Sequence, residues 1–161
     1  MQWSNAIINR KSKEIVAQEI AAIAKDGDVI GAGSGSTVYL TLFALAERIR
    51  KESLHIEVIP ASAEIFMTCI QLGIPQTTLW NKRPDWVFDG ADEVDPEKSL
   101  IKGRGGAMFK EKLLIKAVVR ASLSLMIQNC RSFGKSFSNT CRSVSRCINF
   151  CRKRNATARS F

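Results

Sequence analysis

Val29-Ile30-Gly31 is a short apolar run that empties into a glycine-rich segment, Gly31-Ala32-Gly33-Ser34-Gly35-Ser36-Thr37, from which a helical pattern continues over Val38 to Lys51. A strand, a tight loop and a helix in immediate succession call for a parallel neighbour, because the helix carries the chain back across the sheet before the next strand begins. The rest of the sequence repeats this alternation. Ile15, Val16, Ile20 and Ile23 recur at helical spacing within Ser12 to Ala24, and Gly27 stops that helix. Ile56 to Pro60 predicts a strand, Ser62 to Leu72 a helix closed by Gly73, Thr77 to Trp80 a short strand, and Trp86-Val87-Phe88 another strand running into Asp89-Gly90-Ala91-Asp92. Leu100-Ile101 then leads into Lys102-Gly103-Arg104-Gly105-Gly106-Ala107, and Met108 to Val119 reads as a helix carrying Glu111. The class is α/β with a mainly parallel sheet.

Charge divides the chain in two. The 161 residues carry a formal net charge of +9, which as an average would suggest a nucleic-acid or anionic-membrane partner. Residues 1–119 hold 15 Lys+Arg and 15 Asp+Glu, whereas residues 120–161 hold 9 Lys+Arg and no acid. Cysteine and serine follow the charge, with Cys69 alone in the first part and Cys130, Cys141, Cys147 and Cys151 crowded in the second. The expected organisation is therefore an α/β domain over 1–119 and a basic, Cys/Ser-rich tail over 120–161, where the periodicity is lost. The tail cysteines contain no Cys-x2-Cys pair and no His accompanies them, which disfavours a zinc module. A basic arm that binds phosphates non-specifically is the competing reading of the tail. No run approaches the ~18 apolar residues of a membrane span, and no signal-peptide pattern opens the chain, so the expected compartment is the cytoplasm with no membrane partner.

Three constellations carry chemistry. The loop at 31–37 lacks the Lys of a P-loop and has Ser36 where a dinucleotide fingerprint wants its third glycine. It does offer backbone N–H groups, three hydroxyls and a helix N-terminus, which suit the phosphate of a small metabolite, although a capped strand-to-helix turn needs the same residues. Asp89, Asp92, Glu93 and Asp95 follow an apolar strand and could be acid/base carboxylates, a divalent-metal site or a solvated acidic turn. Metal is disfavoured, because no calcium-loop spacing is present and the single His, His55, lies far off in sequence. Lys102 before a second glycine loop offers a cation and donors for a phosphate or developing oxyanion. Glu111, flanked by Lys110 and Lys112, could equally be an ordinary surface helix residue.

The strings GSGST at 33–37, DGADEVDP at 89–96 and KGRGGAMFKEK at 102–112, in this order and spacing, closely resemble the ribose-5-phosphate isomerases of type A. Ser34 stands where that family usually has Thr, and Lys110 where it usually has Arg. The resemblance covers about residues 12–119 and implies a Rossmann-like sheet, here incomplete, and interconversion of D-ribose 5-phosphate and D-ribulose 5-phosphate without metal or organic cofactor. It implies that Ser34, Gly35, Ser36 and Thr37 hold the sugar phosphate, that Asp89, Gly90, Ala91 and Asp92 with Lys102, Gly103, Arg104 and Gly105 line the sugar, and that Glu111 is the general base. Asp89, Asp92 and Lys102 would share in catalysis, with the aspartates moving protons on the hydroxyls and Lys102 facing the developing oxyanion. The expected partners are a small sugar phosphate and, in the full-length family, a second copy of the chain, but no nucleic acid. A non-catalytic domain that senses sugar phosphates is the alternative.

Beyond Val119 the family's Asp-x-Ser-Lys motif is not legible in the sequence. A change of reading frame accounts for this: Met126-Ile127-Gln128-Asn129-Cys130, read from the third base of each codon, permits Asp, then Thr/Ser/Pro, then Lys/Glu, then Leu. A frameshifted or mis-spliced tail, with low solubility or weak activity of the chain, is the resulting expectation.

Overall fold

The computed structural model describes residues 7–91, 93–94, 100–101, 107–118, 120–125 and 146–151. Seven strands are present among them: β1 (Val29–Ala32), β2 (Glu57–Pro60), β3 (Trp86–Gly90), β4 (Glu93–Val94), β5 (Leu100–Ile101), β6 (Arg120–Leu125) and β7 (Arg146–Cys151). Four helices accompany them: α1 (Arg10–Ala21), α2 (Ser36–Glu52), α3 (Ala63–Leu72) and α4 (Met108–Ala117). Five strands form one sheet in the order β2-β1-β3-β6-β7, in which every pairing is parallel except the antiparallel β6–β7; β4 and β5 form a separate antiparallel pair. This is the α/β, mainly parallel architecture that the alternation of elements requires.

The pleat assigns each strand residue to a face. Ile30 and Ala32 of β1, Val58 of β2, and Trp86 and Phe88 of β3 belong to a core closed by Val16 and Ile20 of α1, Leu42 and Leu45 of α2, and Ile65 and Cys69 of α3. On the opposite face Val87 packs with Ile59, Ala61 and Leu114 of α4. Glycine at position 31 makes room for the neighbouring strand's Val87, since a Cβ there would stand 2.4 Å from Val87 Cγ2, while Leu114 Cδ2 of α4 would lie at contact distance, 3.4 Å.

Local chemistry fixes the ends. Ser62 caps α3 by accepting a bond from the Ile65 N–H at 3.2 Å, and Gly73 ends it with φ of 69°, a left-handed turn that glycine adopts without a Cβ penalty. Arg48 of α2 donates to the carbonyls of Ala21 at 2.6 Å and Ala24 at 2.9 Å, which ties the C-terminal end of α1 to α2. At the end of the sheet where β1 and β3 begin, Asp28 accepts from Trp86 Nε1 at 2.9 Å and Asp85 from the Val29 N–H at 2.8 Å, which pins the register of the two strands.

Two elements differ from expectation. Thr77 to Trp80 is not a strand: Gln76 makes an isolated bridge to Val58, and the chain then turns, with Asn81 and Lys82 N–H groups bonding back to the Thr78 carbonyl at 3.0 Å. Trp80, at the end of this stretch, is 96% exposed. In the other direction, regular structure continues past Val119. β6 pairs in parallel with β3, and its Arg-Ala-Ser-Leu-Ser-Leu sequence alternates polar and apolar residues with the period of a half-buried strand.

Candidate active site

β1 leads through α2 to β2 on one side, while β3 lies on the other side of β1. The β1/β3 boundary is thus the point where the strand order reverses, and ligands of open parallel sheets bind in the crevice beyond the carboxyl ends of the strands at such a point. Both of the loops that the motifs mark leave the sheet here. One is the segment from Gly33 to Gly35 after β1, and the other is the end of β3 at Asp89-Gly90 with Ala91 beyond it.

The two loops are interlocked. The Gly33 N–H donates to the Phe88 carbonyl at 2.9 Å, and a Cβ on Gly33 would stand 2.1 Å from Asp89 Cγ, so only glycine leaves room for this carboxylate. Asp89 is 1% exposed; its Oδ1 accepts from the Gly90 N–H at 2.7 Å and the Ser34 N–H at 3.3 Å. A carboxyl group whose oxygen accepts from backbone N–H groups is among the polar groups a fold can bury.

Glu111 arrives from the other face. It lies in the first turn of α4, one turn before Leu114, so the packing of Leu114 over Gly31 and Val87 places Glu111 above the β1 loop. It is buried, and the Ser34 hydroxyl donates to its Oε1. The surface-residue reading of Glu111 is thereby removed.

Gly35 precedes α2 with φ of 96°, and Ser36 and Thr37 open the helix, so the N–H groups of its first turn lack intrahelical partners. Lys13 of α1 donates from Nζ to Ser36 Oγ at 2.7 Å, and burial pushes its ammonium below the ordinary lysine range. Lys13 escaped the reading of the motifs, although a signal was present: with Val16, Ala17 and Ile20 it occupies one stripe of α1, where an ordinary solvated lysine is out of place. The structure therefore brings Ser34, Gly35, Ser36, Thr37, Asp89, Gly90 and Glu111 to one end of the sheet and adds Lys13. Asp92, Lys102, Gly103, Arg104 and Gly105 lie outside the described residues.

The family model for ribose 5-phosphate isomerase A (phosphoriboisomerase A) matches residues 57–126, a stretch that includes β3, α4 and β6. Ribose-5-phosphate isomerase A 1 of Oceanobacillus iheyensis is 45% identical over 108 residues, covering 66% of this chain and 48% of that protein. The N-terminal part of this chain is similar to the ribose 5-phosphate isomerases A. The structure of ribose 5-phosphate isomerase A from Methanocaldococcus jannaschii superimposes with a TM-score of 0.74 at 38% identity, over 76% of this chain and 55% of that one. A D-ribose-5-phosphate isomerase solved in complex with phospho-erythronic acid gives a TM-score of 0.73 at 31% identity, over 76% and 54%. The chain spans about half the length of the curated ribose 5-phosphate isomerase A relatives it matches. Among the described residues, no helix is long and apolar enough to cross a membrane.

Proposed function

We propose that the chain carries the aldose–ketose isomerase site that interconverts D-ribose 5-phosphate and D-ribulose 5-phosphate in the non-oxidative pentose phosphate pathway. The observation that carries this reading is the convergence of buried Glu111, buried Asp89 and the glycine loop at the β1/β3 reversal, within a family whose relatives bear that enzyme's name. The first turn of α2, with Gly35, Ser36 and Thr37, takes the phosphate, and Lys13 beside Ser36 supplies a positive charge.

In the open-chain aldose, Glu111 removes the proton from C2; the C–H electron pair forms the C1–C2 double bond, and the carbonyl pair moves onto O1. A proton passes from O2 to O1, the O2 pair forms the new carbonyl at C2, and C1 takes the proton back from Glu111. One carboxylate on one face serves both carbons, so the cycle needs no redox partner. Asp89, with Asp92, handles hydroxyl protons, including those of ring opening, while Lys102 and the glycine loop that follows it stabilise the negative charge on oxygen.

The test is a coupled assay for ribulose 5-phosphate on the chain and on Glu111→Gln, with a fall in kcat of about 10²–10⁴ expected of a lost general base. Binding of ribose 5-phosphate without turnover would instead favour a non-catalytic sensing domain. We assign the cytoplasm as the compartment, a small sugar phosphate as the ligand, and a homodimer as the assembly of the full-length family.

A further inference from the structure

Ser34 has two donors, one hydroxyl proton and one backbone N–H. The hydroxyl donates to Glu111 Oε1, and the N–H points at Asp89 Oδ1, 3.3 Å away. Both are therefore directed at carboxylates rather than at the anion cradle, which begins one residue later. Ser36 differs: its hydroxyl oxygen accepts from Lys13, so its own proton is free for another acceptor. Two serines separated by a single glycine thus face different parts of the site. Gly33, on the other side of Ser34, is fixed by its N–H on the Phe88 carbonyl and by the Asp89 carboxylate against its Cα, which leaves Ser34 little room to turn away.

We propose that Ser34 is a positioning residue for the proton-transferring carboxylate, not a phosphate ligand: its hydroxyl fixes the rotamer of Glu111 while its N–H ties that arrangement to Asp89. This rests on the isomerase reading above and deepens it. Its physical basis is that a base must be held within hydrogen-bond reach of the proton it takes, and a glutamate has several rotatable bonds to restrain. A serine or threonine hydroxyl meets the need equally, because the requirement is one donor at that Cβ.

The experiment compares the chain with Ser34→Ala and Ser34→Thr by three measurements. They are kcat and KM for D-ribose 5-phosphate, the affinity for inorganic phosphate, and the position of the Glu111 carboxyl resonance in ¹³C-glutamate-labelled protein, assigned through Glu111→Gln. The expected result is a fall in kcat of about 10–100-fold in Ser34→Ala, the value of one hydrogen bond to a charged group. KM and phosphate affinity stay unchanged, the Glu111 resonance moves, and Ser34→Thr restores kcat and the resonance. Loss of phosphate affinity at constant kcat would overturn the proposal by returning Ser34 to the phosphate site. If the parent chain shows no turnover, the isomerase reading fails by itself, and the Glu111 resonance still decides: unmoved in Ser34→Ala, it refutes the contact. Should Ser34→Ala not fold, Ser34→Cys, similar in size but a weak donor, is expected to give the same split between kcat and phosphate affinity.

Discussion

Replacing Gly33 by alanine tests how the two halves of the site are joined. The backbone at Gly33 is not left-handed, so the expected penalty is steric: the new Cβ would lie 2.1 Å from Asp89 Cγ, 2.2 Å from Oδ1 and 2.6 Å from Oδ2. None of these distances is tolerable, and Asp89 is 1% exposed, so its carboxylate cannot swing into solvent without leaving its bonds to the Gly90 and Ser34 N–H groups. Overpacking of this kind costs about 1–3 kcal/mol, and losing a bond to a buried charge adds a comparable amount, giving roughly 2–4 kcal/mol for Gly33→Ala. All three clashing atoms disappear in Asp89→Ala. In that background Gly33→Ala is expected to cost less than about 0.5 kcal/mol, so the double-mutant cycle has a coupling of about 1.5–4 kcal/mol. Urea denaturation followed by far-ultraviolet circular dichroism measures the four stabilities, with equal slopes required for the comparison. Equal penalties in the two backgrounds would refute the reasoning, because they would mean that Gly33 is needed for its own backbone and not for the carboxylate against it.

Two further outcomes follow from the ionisation of buried groups. Burial holds the Lys13 ammonium below the ordinary lysine range, so it loses its proton at a lower pH than a free lysine would. The KM for a phosphorylated sugar should therefore rise on the alkaline side, and Lys13→Arg should move that rise beyond the accessible range; a KM insensitive to both pH and Lys13→Ala would remove Lys13 from the phosphate site. Cys69 sits fully buried on α3, where desolvation raises its thiol to about 12. In a variant with Cys130, Cys141, Cys147 and Cys151 changed to serine, the remaining thiol should stay silent towards a disulfide reagent at pH 8 until urea unfolds the chain, and rapid labelling of the folded protein would contradict its placement.

What could be read from the residues, and what could not, follows from how local each signal is. The glycine loop, the strand ending in Asp89 and the helix bearing Glu111 are contiguous strings whose backbone demands are written in neighbouring residues, so their elements stood out. Thr77 to Trp80 failed because a few β-prone residues have the same pattern whether they extend or turn, and the Thr78 carbonyl decides by capturing two N–H groups. β6 is hard to read because the change in charge at Arg120 masks the alternation of Ala121, Leu123 and Leu125. Lys13 lies far from Ser36 in sequence, and nothing local says that the α1 stripe ends at the mouth of α2; only the packing of α1 on α2 reveals it.

The same distinction explains why the role of Ser34 needed coordinates. In the motif its hydroxyl is interchangeable with those of Ser36 and Thr37, since all three sit at a helix N-terminus suited to an anion. The difference arises from the other face of the sheet, where Leu114 packs with Ile59, Ala61 and Val87 and so seats α4. With Leu114 seated, the residue one turn earlier meets the loop at Ser34, and that residue is Glu111. A chain with the same three motifs but a small residue at position 114 would keep the phosphate cradle and lose the contact between base and loop. Leu114→Ala is accordingly expected to spare phosphate binding while loosening Glu111 from Ser34, as followed by the Glu111 carboxyl resonance; an unchanged resonance in a folded Leu114→Ala variant would show that α4 is held in place by something other than the packing of Leu114 on the sheet.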